Sequence, residues 1–252
     1  MVKRAWPRLA ACVCAVSAGA AFADEPVEFD RPGTGFSASV LVPGSVVWEQ
    51  GLPDSERDAG DGVRTTTHTF DSVLRIGLGA SLELQLAGAP HVRQSETSAD
   101  GRLQRHGAGD SRVGLKWALP VAGDLDWALL AQYGLRTGSA ELRPQRHAYS
   151  LGATVAGETA TGRGFSVFSG YARDDTGRGW QLAPSLEWHA GDAFGSNVEA
   201  VLGSGNERGL RAGGGMTWQP RSTVQLDVSL LRGIGGDAPD WTGGFGLSVG
   251  LR

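Results

Sequence analysis

From about residue 44 onward, apolar and polar positions alternate with a period of two, which predicts strands rather than helices. Leu82, Leu84 and Leu86 share one face, while Ser81, Glu83 and Gln85 share the other. Val113, Leu115 and Trp117 stand opposite Arg112, Gly114 and Lys116, and Trp127, Leu129 and Tyr133 stand opposite Asp126, Gln132 and Arg136. The pattern returns at 149–155, 180–188, 224–230 and 245–251, and more weakly at 44–51, 65–78, 165–173, 194–202 and 209–218. Together these runs predict about twelve strands. Connections near 79–80, 120–124, 157–163, 189–193 and 219–222 are mostly short, and those near 52–62, 91–109, 137–147 and 232–240 are longer, with 174–177 and 203–208 as short exceptions. Such alternation of tight turns and long loops marks outer-membrane barrels.

Lipid cannot hydrogen-bond the free edge of an open sheet, so strands with an apolar outer face must close. The expected fold is all-β: a transmembrane antiparallel up-and-down β-barrel of about 12 strands, with both termini periplasmic because the strand number is even. Tryptophans prefer the headgroup zone, where the ring is buried and the N–H stays wet. Trp117, Trp127, Trp188 and Trp218 are predicted for a periplasmic girdle, and Trp48, Trp180 and Trp241 for the outer one. A soluble β-sandwich would use the same residues as core, but their position at strand ends favours lipid.

The N-terminus changes the compartment. Lys3, Arg4 and Arg8 precede an apolar run from Leu9 to Ala20, and Ala21-Phe22-Ala23 has the form of a signal peptidase site. The expected organisation is a cleaved signal peptide at 1–23, a periplasmic lead-in at 24–43 and a barrel at 44–252 in the cell outer membrane. Cys12 and Cys14 leave with the signal, which removes thiolate chemistry and disulfides from the mature chain. The signal holds three of the 23 basic residues and none of the 27 acidic ones, leaving the remainder at −7 and unsuited to nucleic acid. Mean hydropathy is −0.17, as a barrel with alternating strands permits.

The inward register carries the charges Glu49, Asp71, Arg75, Glu83, Arg112, Lys116, Asp126, Arg136, Glu187, Glu199, Arg211 and Asp227. Mixed signs in a low-dielectric wall either pair across strands, Arg75 with Glu83 for instance, or line a polar conduit. The same register is rich in glycine, which permits sharp coiling and makes room for long side chains opposite it. His68, His91, His106, His147 and His189 lack metal-ligand spacing and are expected in loops or turns. Asp54, Glu56, Asp58 and Asp61 are expected in a solvated outer loop, with loose cation binding the rarer alternative. His147 with Ser150, or His189 with Ser185, would have to be forced into a catalytic pair. No cofactor, metal centre or enzymatic activity is expected.

Several segments in order resemble the MetA-pathway of phenol degradation family. They are Asp30-Arg31-Pro32-Gly33, Leu74-Arg75-Ile76-Gly77-Leu78 running through a turn into Leu82-Glu83-Leu84, Gly107-Ala108-Gly109-Asp110 leading to Val113-Gly114-Leu115-Lys116, and Arg136-Thr137-Gly138-Ser139. Arg136 stands where the family carries proline, and the chain ends Gly250-Leu251-Arg252 rather than on an aromatic. The resemblance implies an outer-membrane barrel with a transport role linked to aromatic-compound catabolism. The expected function is a passive channel or uptake protein for small aromatic or apolar molecules. The alternatives are a non-conducting structural or binding barrel with a salt-bridged interior and, less favoured, a lipid-modifying enzyme. Expected partners are outer-membrane lipid and lipopolysaccharide, the barrel-assembly machinery and small hydrophobic solutes.

Overall fold

A computed structural model describes residues 27–142, 147–174, 177–191, 193–205 and 209–251; the expected signal peptide lies outside them. Thirteen strands follow one another: β1 (Val46–Gly60), β2 (Val63–Gly77), β3 (Leu82–Ser98), β4 (Gly101–Gly107), β5 (Ser111–Ala118), β6 (Leu125–Leu135), β7 (Tyr149–Glu158), β8 (Gly164–Arg173), β9 (Arg178–Ala190), β10 (Phe194–Gly205), β11 (Gly209–Arg221), β12 (Val224–Gly235) and β13 (Trp241–Leu251). All ladders are antiparallel, and β1 pairs with both β2 and β13, so the sheet closes on itself. Twelve strands form this barrel, while β4 pairs with the far half of β3 alone.

The alternation works as expected of a wall between lipid and an interior. Leu86, Leu115, Leu151, Leu182, Val198, Met216, Leu230 and Phe245 are exposed on the outside. Trp117, Trp127, Trp188 and Trp218 ring the short-turn end, where Phe194 stacks on Trp218. Trp48 joins this ring rather than the outer one, because it pairs with Leu74 and Val249 near the start of β1. The opposite ring consists of Trp180, Trp241 and three tyrosines, Tyr133, Tyr149 and Tyr171. Trp180 and Trp188 on β9 are separated by about 27 Å of strand, or roughly 20 Å along the axis at a tilt of about 40°, close to the ~25 Å apolar band of such barrels.

Two expected loops are strands. Residues 52–60 extend β1, and a two-residue turn at Asp61 (φ 51°) and Gly62 (φ 78°) folds β2 back against it. Residues 91–98 likewise extend β3, and Gly101–Gly107 returns along it as β4. Both hairpins are polar on both faces, so they lack the apolar alternation that reveals a strand in lipid. For the same reason His68, His91 and His106 lie on strands, as His189 does on β9, rather than in loops. The acidic run is also strand: Asp54, Glu56 and Asp58 lie on β1, and no cluster suited to a metal occurs among the described residues.

Two motifs of the family resemblance clamp each other at the long-loop end. Gly138 N–H donates to Asp110 Oδ1 at 2.7 Å, Ser111 N–H to Thr137 Oγ1 at 2.9 Å, and Ala108 N–H to Ser139 Oγ at 2.9 Å. A Cβ on Gly138 would stand 2.8 Å from Asp110 Oδ1 and 3.0 Å from Ala108 O, so a larger residue would crowd this clamp. Arg136 falls in this corner, one residue beyond β6 and exposed, because Thr137 N–H turns back to Leu135 O; it is not a wall residue.

Candidate functional site

The interior is occupied by the lead-in. Val27 N–H binds Ser222 O at the short-turn end, and the chain then crosses the lumen before joining β1. A non-repetitive segment buried in a barrel needs partners for its backbone, and wall side chains supply them. Glu49 accepts the N–H groups of Asp30 and Arg31 at 3.0 and 3.1 Å, Glu199 that of Thr34 at 3.2 Å, and Glu83 that of Leu41 at 3.0 Å. Gln225 donates to Arg31 O at 3.0 Å.

Two ion networks fasten the segment. In the first, Arg75 holds Glu83 (Nε–Oε1 2.8 Å), Glu49 (2.8 Å) and Asp30 (3.4 Å), while Lys116 Nζ reaches Asp30 Oδ1 at 3.0 Å. Arg75, Glu83 and Lys116 are fully buried. In the second, Arg31 makes a bidentate pair with Asp54 (2.8 Å twice) and also faces Asp227 (3.3 Å) and Asp71 (3.7 Å). Breaking either network would leave uncompensated charge away from water, at a cost of about 3–5 kcal/mol per orphaned group. Burial raises the Asp30 pKa, but Arg75, Lys116 and the Ser37 N–H outweigh it and hold the carboxyl down at about 2. Burial opposes the charge on Arg31, yet its three carboxylates raise its pKa above the ordinary arginine value.

The inward glycines make room for this insertion rather than for a wider pore. A Cβ on Gly215 would stand 2.8 Å from Pro32 Cγ, one on Gly152 2.8 Å from Phe36 Cε1, and one on Gly250 3.1 Å from Val27 Cγ2. Gly35, Gly152 and Gly170 also surround Phe168, where added Cβ atoms would lie 2.6 to 2.8 Å from its side chain.

Two cavities flank the lead-in, each of about 500 Å³. Asp30, Arg31, Gly33–Phe36 and Phe168 border both, so the segment is the partition between them. Phe36 meets Phe168 edge to face with centroids 5.6 Å apart, and Phe168 packs against Ala183, Val201 and Leu231 of the wall. The partition is therefore part ion network and part aromatic surface.

Of the sequence-predicted residues, Glu49, Asp71, Arg75 and Arg112 line the cavity toward the long loops, and Asp126, Glu187 and Glu199 the one toward the short turns. Glu83, Lys116 and Asp227 grip the lead-in, and Arg211 lies half-buried on β11 opposite Val201. The expected Arg75–Glu83 pair forms, but Lys116, although opposite Glu83 in register, pairs with Asp30. Sequence reasoning missed Asp30 and Arg31 as interior residues, together with Phe36 and Phe168. The excess of acids over bases in the inward register was the available signal that a further cation enters the lumen. His147 stacks on Tyr133 with Nδ1 3.0 Å from Gly134 O, and Ser150 donates to Gln132, so these two are not paired.

A closed antiparallel barrel with an apolar belt, aromatic rings and an ion-paired interior is an outer-membrane β-barrel. The chain belongs to the MetA-pathway of phenol degradation family, which matches residues 29–251. Among solved structures it is similar to the COG4313 outer membrane channel from Pseudomonas putida F1, with TM-score 0.64 and 11% identity over 87% of this chain and 99% of that one. It is also similar to the KdgM porin (TM-score 0.53, 7% identity, 82% and 99% covered) and to the translocator domain of the autotransporter NalP from Neisseria meningitidis (0.50, 14%, 89% and 90%). At these identities the likeness is one of fold. No curated protein matches the chain.

Proposed function

We propose that this barrel is a channel for small aromatic or apolar molecules, gated by its own lead-in, with both termini on the periplasmic side. The observation that carries this reading is the Phe36–Phe168 pair on the partition between two cavities, an apolar surface beside the ion networks of the lumen. The family's name points to phenolic compounds, and two of the similar structures are named as a channel and a porin. Passage requires the lead-in to shift, because it stands between the cavities.

Liposomes carrying the purified barrel test this by uptake of phenol and of a sugar of similar size, with and without residues 27–43. The expected result is modest phenol flux in the whole protein and strong, unselective flux in the truncated one. Absence of flux in both, with barrels folded by heat-modifiable mobility, would overturn the reading. The saturation of Arg31 and Arg75 by carboxylates favours a second reading, a non-conducting binding barrel. Phenol retained by the whole protein without flux would select it.

A further inference from the structure

Beyond the long-loop ring of aromatics, the far halves of β1, β2 and β3 together with β4 form a four-stranded extension. Its pairings fix which residues share a face. One cross-strand row is Ala59–Arg64–Thr97–Arg102, the next Arg57–Thr66–Ser95–Gln104, and the third Ser55–His68–Arg93–His106. Side-chain contacts agree: Ser55 bonds His68, and Arg102 donates to Ser95 at 3.0 Å. Arg57 pairs across to Trp241, whose ring faces lipid, so this is the outward face.

The charges on it are of one sign. Arg57, Arg64, Arg93 and Arg102 are exposed, and none pairs with a carboxylate among the described residues. Glu56, Asp58 and Glu96 take the opposite face of the same strands. Along the whole described wall no acidic strand residue occupies the outward register. A sheet placed in water alone has no reason to sort its charges this way, whereas one standing among anionic headgroups does.

We propose that this face binds the phosphates of an outer-leaflet glycolipid through Arg57, Arg64, Arg93 and Arg102, independently of whether the lumen conducts. Guanidinium groups suit phosphate because they donate in a planar fork. Strand spacing spreads the four arginines over roughly 14 Å in each direction, which fits a headgroup with two separated phosphates better than a single one. Thr66, Ser95 and Thr97 lie between them as hydroxyl partners for the sugar.

Native mass spectrometry of the full barrel released from micelles tests this with three lipids: bisphosphorylated lipid A, the same lipid with its phosphates removed, and phosphatidylglycerol. Wild type retains the bisphosphorylated lipid, and R64S/R93S/R102S weakens retention by roughly tenfold or more. Dephosphorylated lipid A and phosphatidylglycerol bind weakly to both. Equal retention by the triple variant, or phosphatidylglycerol held as tightly as lipid A, overturns the proposal. Should the triple variant fail to fold, wild type at low and high salt decides: salt-insensitive retention overturns it, and a steep fall supports it.

Discussion

Lys116 Nζ lies 3.0 Å from Asp30 Oδ1 although 86 residues separate the two, and the pair fastens the lead-in to the wall of β5. The same carboxylate faces Arg75, which in turn holds Glu83. Asp30, Arg75, Glu83 and Lys116, drawn from three of the four stretches of the family resemblance, thus meet at a single point inside the barrel.

Substituting Asp30→Asn removes the charge that Lys116 and Arg75 both face. We expect a loss of about 3–5 kcal/mol of docking free energy for the segment, with the barrel intact. Ala38, buried on the lead-in, serves as a reporter once changed to cysteine, since both natural cysteines fall in the expected signal peptide. Thiol labelling of A38C should be slow in the otherwise unchanged protein and fast in the D30N/A38C double variant; equal rates would show that the ion network does not hold the segment.

Asp30 itself should keep its charge, and with it its grip on Lys116 and Arg75, far into the acid range. A carboxyl whose folded pKa is about 2 against an ordinary 3.8 contributes stability that is present above about pH 4 and lost as pH falls through 2. A38C labelling is therefore expected to be flat from neutral pH to about pH 4 as far as Asp30 controls it. An onset near pH 6 that persists in Asp30→Asn would assign the control to other groups.

Arg31→Ala removes the cation that Asp54, Asp71 and Asp227 share. Three carboxylates are then left without their shared cation and, of its bonds to β1 and β12, the segment keeps only the backbone ones to Glu49 and Gln225. Single-channel recordings should show larger conductance with cation preference; an unchanged trace would mean that ions do not pass this point.

Gly170→Val places branched carbons where a Cβ alone would stand 2.6 Å from Phe168 Cζ. The ring must move, at a cost of about 1–3 kcal/mol for an overpacked site, and phenol flux should change more than sugar flux. Parallel changes in both would separate the Phe36–Phe168 surface from selectivity.

The wall was legible in sequence because lipid enforces a strict rule: Leu82, Leu84 and Leu86 must face out, and Glu83 and Gln85 must face in. The hairpin extensions obey no such rule, since neither face of residues 52–60 and 91–107 meets lipid tails, and turn chemistry at Asp61-Gly62 was the remaining signal. Trp48 went to the wrong ring for the same reason, because the length of β1 was underestimated. The interior charges were identifiable from register, but their partners were not. Arg31 reaches Asp227 across 196 residues, and nothing local marks an irregular segment as the inside of a barrel rather than a tail.

The lead-in also bears on how the molecule is made. It leaves the ribosome before every strand it touches, yet its partners lie on β1, β2, β3, β5, β8, β10, β12 and β13. Contacts so distant in sequence form late, after the entropy of closing the intervening chain has been met. Complete docking, with bonds to Glu49 of β1 and to Phe245 O of β13 at once, therefore requires that these two strands already stand side by side.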